Sequence, residues 1–286
     1  MLQIRRVLAP NPGPYTLDGT NTWIVGADPS IVIDPGPDDE GHLTDVVREA
    51  GAVGAILVTH DHPDHAPGAA PFARRVGGTV HAIRLAGAEP LRAGQRIRAG
   101  STELTVVPTP GHSSDHVAFF EPATGAMFTG DAVLGRGTSF IDPPEGDLVR
   151  YLRSLSRMRE LHPRTIHPGH GPVVLDAGAK LREYLTHRQE REEQVLDALS
   201  DGPRSVAEIV AVIYAAYPKD VHPLAARSVL AHLLKLADEG RVDRSDRSDG
   251  GTWSLAATRT CARCGRPVRA RARYCHSCSL AILQAD

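Results

Sequence analysis

The six residues His60-Asp61-His62-Pro63-Asp64-His65 decide the fold. They follow directly on Ala55-Ile56-Leu57-Val58-Thr59, an apolar run that is typical of a buried strand. A strand that ends in a tight turn holds the side chains of that turn at one edge of its sheet. Three imidazoles and a carboxylate in one turn suit zinc, and a catalytic zinc keeps one coordination position for water. The stretch therefore predicts a catalytic metal site at a strand end.

Three later segments have a common pattern, a β-rich apolar run that ends in glycine and a possible ligand. They are residues 104–112, 126–131 and 165–170, and they end in His112, Asp131 and His170. Glycine lets the backbone come close to a site. Ligands delivered singly from successive strand ends are typical of a β-scaffold with its active site on one rim. The four segments together predict two metal coordination spheres.

The order HxHxDH, TPGH, TGD and PGHG, over the first two-thirds of the chain, resembles the metallo-β-lactamase superfamily. The resemblance implies an α/β fold, the four-layer αββα sandwich. It implies that His60, His62 and His112 hold a first metal, that Asp64, His65 and His170 hold a second, and that Asp131 bridges both. The implied cofactors are two zinc ions, with iron or manganese as alternatives for the same ligands.

Two further residues, Asp34 and His116, enter the predicted site beside these ligands. Asp34 matches an early strand-end aspartate of the superfamily, which orients a ligand histidine, although an Asp before Pro-Gly is also an ordinary turn residue. The predicted catalytic residues are Asp64, Asp131 and His116. His116 either lines the substrate cleft or is a hydrogen-bonded loop histidine.

Polar side chains in two loops are candidates for substrate contacts. The stretch Gly19-Thr20-Asn21-Thr22 can present hydroxyls and the Asn21 amide to a substrate near the metals, and Thr138 and Ser139 can present hydroxyls. A plain turn explains each of them as well. Arg136, just before them, is a candidate for meeting a phosphate.

Two departures from sibling groups narrow the chemistry. Every cysteine lies beyond residue 260, so the core has no thiolate where common zinc β-lactamases carry one, which speaks against antibiotic hydrolysis. His62 is present where the flavodiiron oxidoreductases carry Glu. Hydrolysis by two metals is therefore the predicted chemistry.

Residues 11–26, 130–139 and 184–192 resemble the β-lactamase-like protein 2 group. This resemblance implies an endoribonuclease acting on single-stranded RNA, as in the animal member of the group. Fungal relatives act as thioesterases in polyketide assembly, so a thioesterase, of that or the glyoxalase II kind, is the alternative. A third hypothesis makes the C-terminal pieces an adaptor on a vestigial core, but the unbroken ligand set argues against it.

Composition places the chain among ordinary globular proteins. It has 286 residues, 41% hydrophobic and 23% charged, and its length predicts about two domains. The N-terminus lacks the apolar region of a signal peptide, and no run approaches the ~18–20 apolar residues of a membrane span. The expected location is the cytoplasm, with no membrane partner.

Past the last ligand, the sequence predicts a long charged helix over 177–199 that leads away from the core. Ser205 and Glu208 then form a capping box, and a second amphipathic helix runs from Pro223 to Gly240. Two short β-like pieces follow at 241–244 and 251–255, so the unit resembles a winged helix. It serves as a structural cap or homodimer surface, or it contacts nucleic acid through its sparsely basic second helix.

The C-terminal tail has its own signature, CxxC, ten residues, CxxC, formed by Cys261, Cys264, Cys275 and Cys278. This spacing predicts a zinc ribbon with one structural zinc, since disulfides are disfavoured in the cytoplasm. Residues 259–286 hold six arginines against one acid, so the tail carries +5 and the rest of the chain −7. The predicted domains are 1–180 (catalytic), 181–258 (connector and winged helix) and 259–286 (ribbon), with the ribbon binding RNA, DNA or protein.

Overall fold

A computed structural model describes residues 2–245 and 251–257, together with the backbone of 259–260 and 267–268. The chain forms two compact units, Met1–Thr186 and His187–Asp286. The four cysteines of the predicted zinc ribbon lie outside the described residues. The domain boundaries expected from the sequence stay a prediction.

The first unit contains two β-sheets. Across the first sheet the strands are β1 (Ile4–Leu8), β2 (Asn21–Val25), β3 (Ser30–Ile33), β4 (Val53–Leu57), β5 (Val80–Ala82) and β6 (Glu89–Pro90). Across the second they are β11 (Thr165–Pro168), β10 (Ala126–Gly130), β9 (Val117–Glu121), β8 (Thr102–Pro108) and β7 (Arg96–Ala99). The pairs β3–β4, β4–β5, β5–β6 and β10–β11 are parallel, and the other neighbouring pairs in the two sheets are antiparallel.

The main core lies between the two sheets. On β2, Trp23 and Val25 point into this layer, where they meet Phe119 and Phe128 of the second sheet. Ile24 points the other way, because successive side chains of a strand alternate. Since both faces of β2 are buried, helices have to cover the outer side of the first sheet.

Helices provide the two outer layers. They are α1 (Glu40–Ala50), α2 (Ala69–Val76), α3 (Leu148–Glu160) and α4 (Ala177–Ala198). Leu43 of α1 and Phe72 of α2 pack on Ile24 outside the first sheet. Helix α3 packs beside the second sheet, where the Ser154 hydroxyl donates to the carbonyl of Pro110 at 2.8 Å. The predicted αββα sandwich is confirmed.

The second unit contains the end of α4, then α5 (Val206–Ile213), a 3-10 turn (Lys219–Val221), α6 (His222–Asp238) and a hairpin of β12 (Val242–Arg244) with β13 (Trp253–Leu255). The predicted capping box is present, since Ser205 and Glu208 exchange side-chain and backbone hydrogen bonds. Trp253 packs into the core between α5 and α6. This is the winged-helix arrangement that the sequence predicts. Strands β14 (Arg259–Thr260) and β15 (Pro267–Val268) pair further on.

One histidine of α6, the second helix of this unit, is buried instead of lying on the surface. His232 is 1% exposed, and its two ring nitrogens have no hydrogen-bond partner among the described residues. Burial, reinforced by the nearby cations of Arg188 and Arg191, lowers the pKa of His232 to about 3. The ring is therefore neutral at physiological pH. It cannot contribute to a nucleic-acid surface.

A pH dependence of stability follows from this buried ring. Unfolded His232 takes up a proton near pH 6.5, whereas folded His232 does not until about pH 3. Its contribution to the free energy of unfolding is therefore present above pH 6.5 and lost as pH falls toward 3, by a few kcal/mol in all. Urea unfolding of the wild type and of His232→Leu at pH 8, 6 and 5 measures it. Between pH 8 and pH 5, the free energy of unfolding of the variant should fall less steeply than that of the wild type, by close to the slope that one titrating proton gives. Equal pH slopes for the two proteins would contradict the assignment.

Within the described part of the chain, no helix combines the length and the apolarity needed to cross a membrane.

Candidate metal centre

The predicted ligands lie at the ends of four strands on one rim of the sandwich. The turn 60–65 follows β4 of the first sheet, while His112, Asp131 and His170 follow β8, β10 and β11 of the second. Strands β10 and β11 are parallel, so their carboxyl ends reach the same edge. Both sheets thus deliver ligands to one place.

A first group contains His60, His62 and His112, whose ligand nitrogens lie within 4.8 Å of one another. The His112 Nε2 and His62 Nδ1 atoms are 3.1 Å apart. His112 is oriented from behind by its Nδ1, which is 2.8 Å from the carbonyl oxygen of Phe140. Such a bond fixes which nitrogen faces the site.

A second group contains Asp64, His65 and His170. The Oδ2 atom of Asp64 is 3.3 Å from His65 Nε2 and 3.1 Å from His170 Nε2. The two imidazole nitrogens are themselves 3.3 Å apart. The other ring nitrogen of His170, Nδ1, lies 3.2 Å from the carbonyl oxygen of Gly19, and this contact orients the ring.

Asp131 lies between the two groups, with one carboxylate oxygen toward each. Its Oδ1 atom is 3.4 Å from His65 Nε2 and 3.2 Å from His170 Nε2, in the second group. Its Oδ2 atom is 3.7 Å from His112 Nε2, in the first group. A carboxylate in this position can touch two ions at once.

The donor set fits divalent metal ions. Five imidazoles and two carboxylates converge on a small volume, and the Nε2 atom of His60 is buried there without a hydrogen-bond partner in the described structure. A buried polar nitrogen without a partner costs free energy, and a metal ion would give it one. Imidazole and carboxylate ligands suit zinc and iron alike.

The electrostatics of the centre follow from burial and from its three carboxylates. Burial alone would lower the pKa of His65, but Asp131, Asp64 and Asp34 raise it well above its ordinary value. Burial and the neighbouring His65 instead hold the pKa of His60 well below its ordinary value, so this ring is neutral. Carboxylates that favour a protonated imidazole also favour a metal cation.

Asp34 supports the centre from the end of β3. It accepts hydrogen bonds from the backbone nitrogen of Thr59 at 2.7 Å and from the Thr59 hydroxyl at 2.8 Å. Its Oδ2 atom is 2.9 Å from Nδ1 of His65, so it orients the ring of His65. Asp34 has a φ of 49°, which is uncommon outside glycine and marks a constrained position.

A glycine makes room for the bridging carboxylate. A Cβ atom on Gly169 would lie 2.5 Å from Asp131 Oδ1 and 2.7 Å from Cε1 of His65. Any side chain at this position would displace one of the two residues. The glycine of the PGH motif is therefore required by space.

His116 lies behind the ligands. It is 1% exposed, its Nε2 accepts from the backbone nitrogen of Asp131 at 3.1 Å, and its Nδ1 is 2.8 Å from the Thr109 hydroxyl. With both ring nitrogens engaged, His116 positions Asp131 and has no free nitrogen for proton transfer to a substrate. Of the two interpretations from the sequence, this geometry favours the hydrogen-bonded histidine.

Two of the three predicted substrate contacts are buried and donate hydrogen bonds to the protein backbone. Asn21 is buried and donates both amide hydrogens, to the carbonyls of Pro168 and Gly171 at 2.9 Å each. Ser139 is 3% exposed and donates to the backbone carbonyls of Asp131 and Ala132, so it braces the bridging residue. Thr138, by contrast, is partly exposed.

Two threonine hydroxyls contact residues of the site, one of them from the stretch 19–22. The Thr20 hydroxyl donates to Asp64 Oδ2 at 3.2 Å, and Thr59 links Asp34 to Nδ1 of His60 at 2.9 Å. Their positions carry a signal, because Thr59 ends a strand directly before the first ligand. Thr20 lies beside Asn21 in the stretch 19–22.

Comparison with known families agrees with this geometry. The family model described as Metallo-beta-lactamase superfamily matches residues 15–170, more than half of the chain. A second model, described as Beta-lactamase associated winged helix domain, matches residues 205–253. The chain belongs to the metallo-β-lactamase superfamily and has its hydrolase fold, followed by a winged helix.

Individual relatives cover nearly the whole chain. A β-lactamase-like protein 2 homologue of Drosophila melanogaster is 33% identical, over 85% of this chain and 91% of its own. An atrochrysone carboxyl ACP thioesterase of Aspergillus chevalieri is 33% identical, over 90% of this chain and 88% of its own. A solved metallo-β-lactamase family protein of Thermus thermophilus has the same fold, with a TM-score of 0.74, 23% identity and coverage of 88% of this chain and 98% of that one.

Proposed function

We propose that this chain is a binuclear metal-dependent hydrolase of acyl thioesters. The observation that carries the proposal is the position of Asp131, whose two carboxylate oxygens face two separate groups of ligands. A site for a single ion would not need a carboxylate that faces two groups of ligands. The proposed substrate class rests on two properties of the residues around the ligands, namely their charge and the fact that His116 and Asp131 are not available as proton donors.

In this proposal His60, His62 and His112 hold one ion, Asp64, His65 and His170 hold the other, and Asp131 contacts both. Zinc is the proposed metal, with iron and manganese as outcomes of the metal analysis. Two such ions, when bound, lower the pKa of water so that it is a nucleophile at neutral pH, and they polarise the substrate oxygen. A protein nucleophile is then unnecessary.

The polar residues around the ligands act by positioning. Thr20 holds Asp64, His116 holds the backbone of Asp131, and Asp34 holds His65. The hydroxyl of Ser113, near His112, donates to the Asp115 carboxylate at 2.7 Å, and Asp115 accepts from the backbone nitrogen of Asp61 at 3.1 Å. These bonds fix the turn 60–65 against the loop that carries His112.

A thioester fits the finding that neither His116 nor Asp131 is a free general acid in the described part of the site. A thiol has a pKa near 8.5, so a thiolate leaves without receiving a proton first. An alkoxide leaving from a phosphodiester is far more basic and profits from a positioned acid. Both ring nitrogens of His116 are already bound. Burial would raise the pKa of Asp131, but its interactions with His170 and His65 outweigh burial and keep that pKa well below its usual value.

The charge of the rim also favours a substrate that is neutral at the reacting carbon. Glu145 lies 3.7 Å from Nε2 of His62. Arg136, which the sequence indicates as a candidate phosphate contact, is paired with Asp18 at 3.4 Å. A relative of 33% identity is named as a thioesterase, which adds support from outside the structure.

Cleavage of single-stranded RNA is the second candidate. A cavity of about 810 Å³ at the opposite end of β11 from His170 is lined by Arg159, Arg164 and Arg182 together with the acids Glu160 and Asp176. The sequence also has six arginines within 259–286. Against it, Lys235 of α6 is paired with Glu192 at 2.5 Å and with Glu239 at 2.8 Å, so the second helix of the winged unit offers little free positive charge.

One experiment separates the two candidates. The full chain is loaded in turn with zinc, iron or manganese and incubated with an acyl-N-acetylcysteamine thioester and with an end-labelled single-stranded RNA. We expect thiol release that depends on metal, with the RNA left intact. Metal-dependent RNA fragments without thiol release would reject the thioesterase proposal and favour the ribonuclease.

The cysteine tail has a separate proposal. We propose that Cys261, Cys264, Cys275 and Cys278 bind one structural zinc that takes no part in hydrolysis. Metal analysis of the zinc-loaded chain should then find one ion per chain less in Cys261→Ser/Cys264→Ser, with thioester turnover retained.

A further inference from the structure

Two aromatic side chains form an exposed pair beside the metal centre. The Tyr15 and Phe140 rings have their centroids 6.0 Å apart and are tilted by 46°. Tyr15 is 62% exposed, and Phe140 is half-buried. Such an exposed aromatic ring contributes little to the core, since its apolar surface stays in water.

The two loops that carry the pair also hold ligands of both groups. The carbonyl oxygen of Phe140 lies 2.8 Å from Nδ1 of His112 in the first group. In the loop of Tyr15, the carbonyl oxygen of Gly19 lies 3.2 Å from Nδ1 of His170 in the second group. The aromatic pair is therefore anchored to the centre from both sides.

The loop of Tyr15 is held in shape without any ligand. The Asn11 side chain both donates to the Thr20 hydroxyl and accepts from the Thr20 backbone nitrogen, at 2.9 Å each. The Thr16 hydroxyl donates to the carbonyl of Asn11 at 2.6 Å. A third link is the ion pair of Asp18 with Arg136, which joins this loop to the loop of Phe140. A surface fixed in advance loses little entropy when it binds.

We propose that Tyr15 and Phe140 are the binding platform for a flat, aromatic acyl group of the thioester substrate. The inference rests on the proposed function and names the substrate class within it. Aromatic rings bind other aromatic groups in offset or edge arrangements, which linear alkyl chains do not reproduce. The platform lies beside the ligands, so an acyl group on it would have its carbonyl carbon near the reacting position.

The test compares 2-naphthoyl and octanoyl thioesters of N-acetylcysteamine on the metal-loaded full chain. We expect the wild type to favour the naphthoyl substrate in kcat/KM. In Tyr15→Ala this value should fall about tenfold, mainly through KM, while the octanoyl value stays within about twofold. Tyr15→Phe should keep the preference, because the ring and not the hydroxyl forms the platform.

Tyr217→Ala is the matched control. Tyr217 is 55% exposed in the second unit, so its removal is an equal loss of exposed aromatic surface outside the first unit. It should leave both substrates unaffected. Equal loss on both substrates in Tyr15→Ala, or no loss on either, would overturn the platform and leave the thioesterase proposal standing.

A binding measurement keeps the two proposals separable. Calorimetry of 2-naphthoate, the product acid, on the metal-loaded chain should give a Kd about tenfold higher in Tyr15→Ala than in the wild type. If no thioester is hydrolysed but this difference holds, the proposed function fails and the aromatic platform stands. Binding of single-stranded oligoadenylate that is lost in Tyr15→Ala, with no binding of naphthoate, would reassign the pair to nucleobases and reject the acyl platform.

Discussion

Asp131→Ala is expected to lower kcat/KM for thioester hydrolysis by about 10³-fold, equivalent to about 4 kcal/mol of lost transition-state stabilisation. The reason is geometric, because one carboxylate oxygen faces His65 and His170 and the other faces His112. In the proposed binuclear site, its removal would take one ligand from each ion. The measurement is thioester turnover of the metal-loaded variant together with its metal content.

Asp61→Ala is the control for this prediction. Asp61 lies in the same ligand-bearing turn, but its side chain is exposed and is not among the grouped ligands. The control should keep turnover within about twofold. Thermal unfolding of both variants shows whether the fold persists, and full activity of a folded, metal-loaded Asp131→Ala would disprove the bridging role.

Asp34→Asn is expected to weaken metal affinity about 10- to 100-fold, although Asp34 is not itself a proposed ligand. The carboxylate accepts from Thr59 twice and faces Nδ1 of His65 at 2.9 Å. An amide has only one oxygen acceptor, so it cannot satisfy all three donors. Asn tolerates the φ of 49° at this position, so the variant separates hydrogen bonding from backbone strain.

The measurement is competition for zinc with a chelator of known affinity. Asp38→Asn, at an exposed acid four residues further along the chain, is the matched control and should bind as the wild type does. Asp34→Ala should be more severe, since alanine also disfavours a positive φ. An affinity of Asp34→Asn equal to that of the control would show that His65 needs no support from Asp34.

The ligand-bearing strand ends could be predicted from the sequence because each combines an apolar run with ligand types, and three of the four also carry a glycine between them. Whether a neighbouring side chain points toward the site or away from it could not be predicted from the sequence. The sequence indicates Asn21 as a substrate contact, yet Thr20 is the residue that reaches Asp64, and Asn21 braces Pro168 on the other side. Side chains alternate along an extended chain, so a shift of one residue exchanges the two roles.

The burial of His232 is indicated in the sequence by helical spacing. Residues 225, 229, 232 and 236 follow the helical spacing of a buried face, and the structure places them in the core of the second unit or buried on α6. The periodicity therefore indicates burial in spite of the polar residue type. For His116 no such signal exists, because its position under Asp131 depends on how the turn before β9 meets the end of β10.

The ligands have a consequence that reaches beyond chemistry, because they come from both halves of the sandwich. His60, His62, Asp64 and His65 follow a strand of one sheet, and His112, Asp131 and His170 follow strands of the other. Ions held between them would clamp the two sheets together at this edge, in the way that a cross-link does. Resistance to heat and to proteases should then track the free concentration of metal, so that a starved cell would lose the protein as well as its activity.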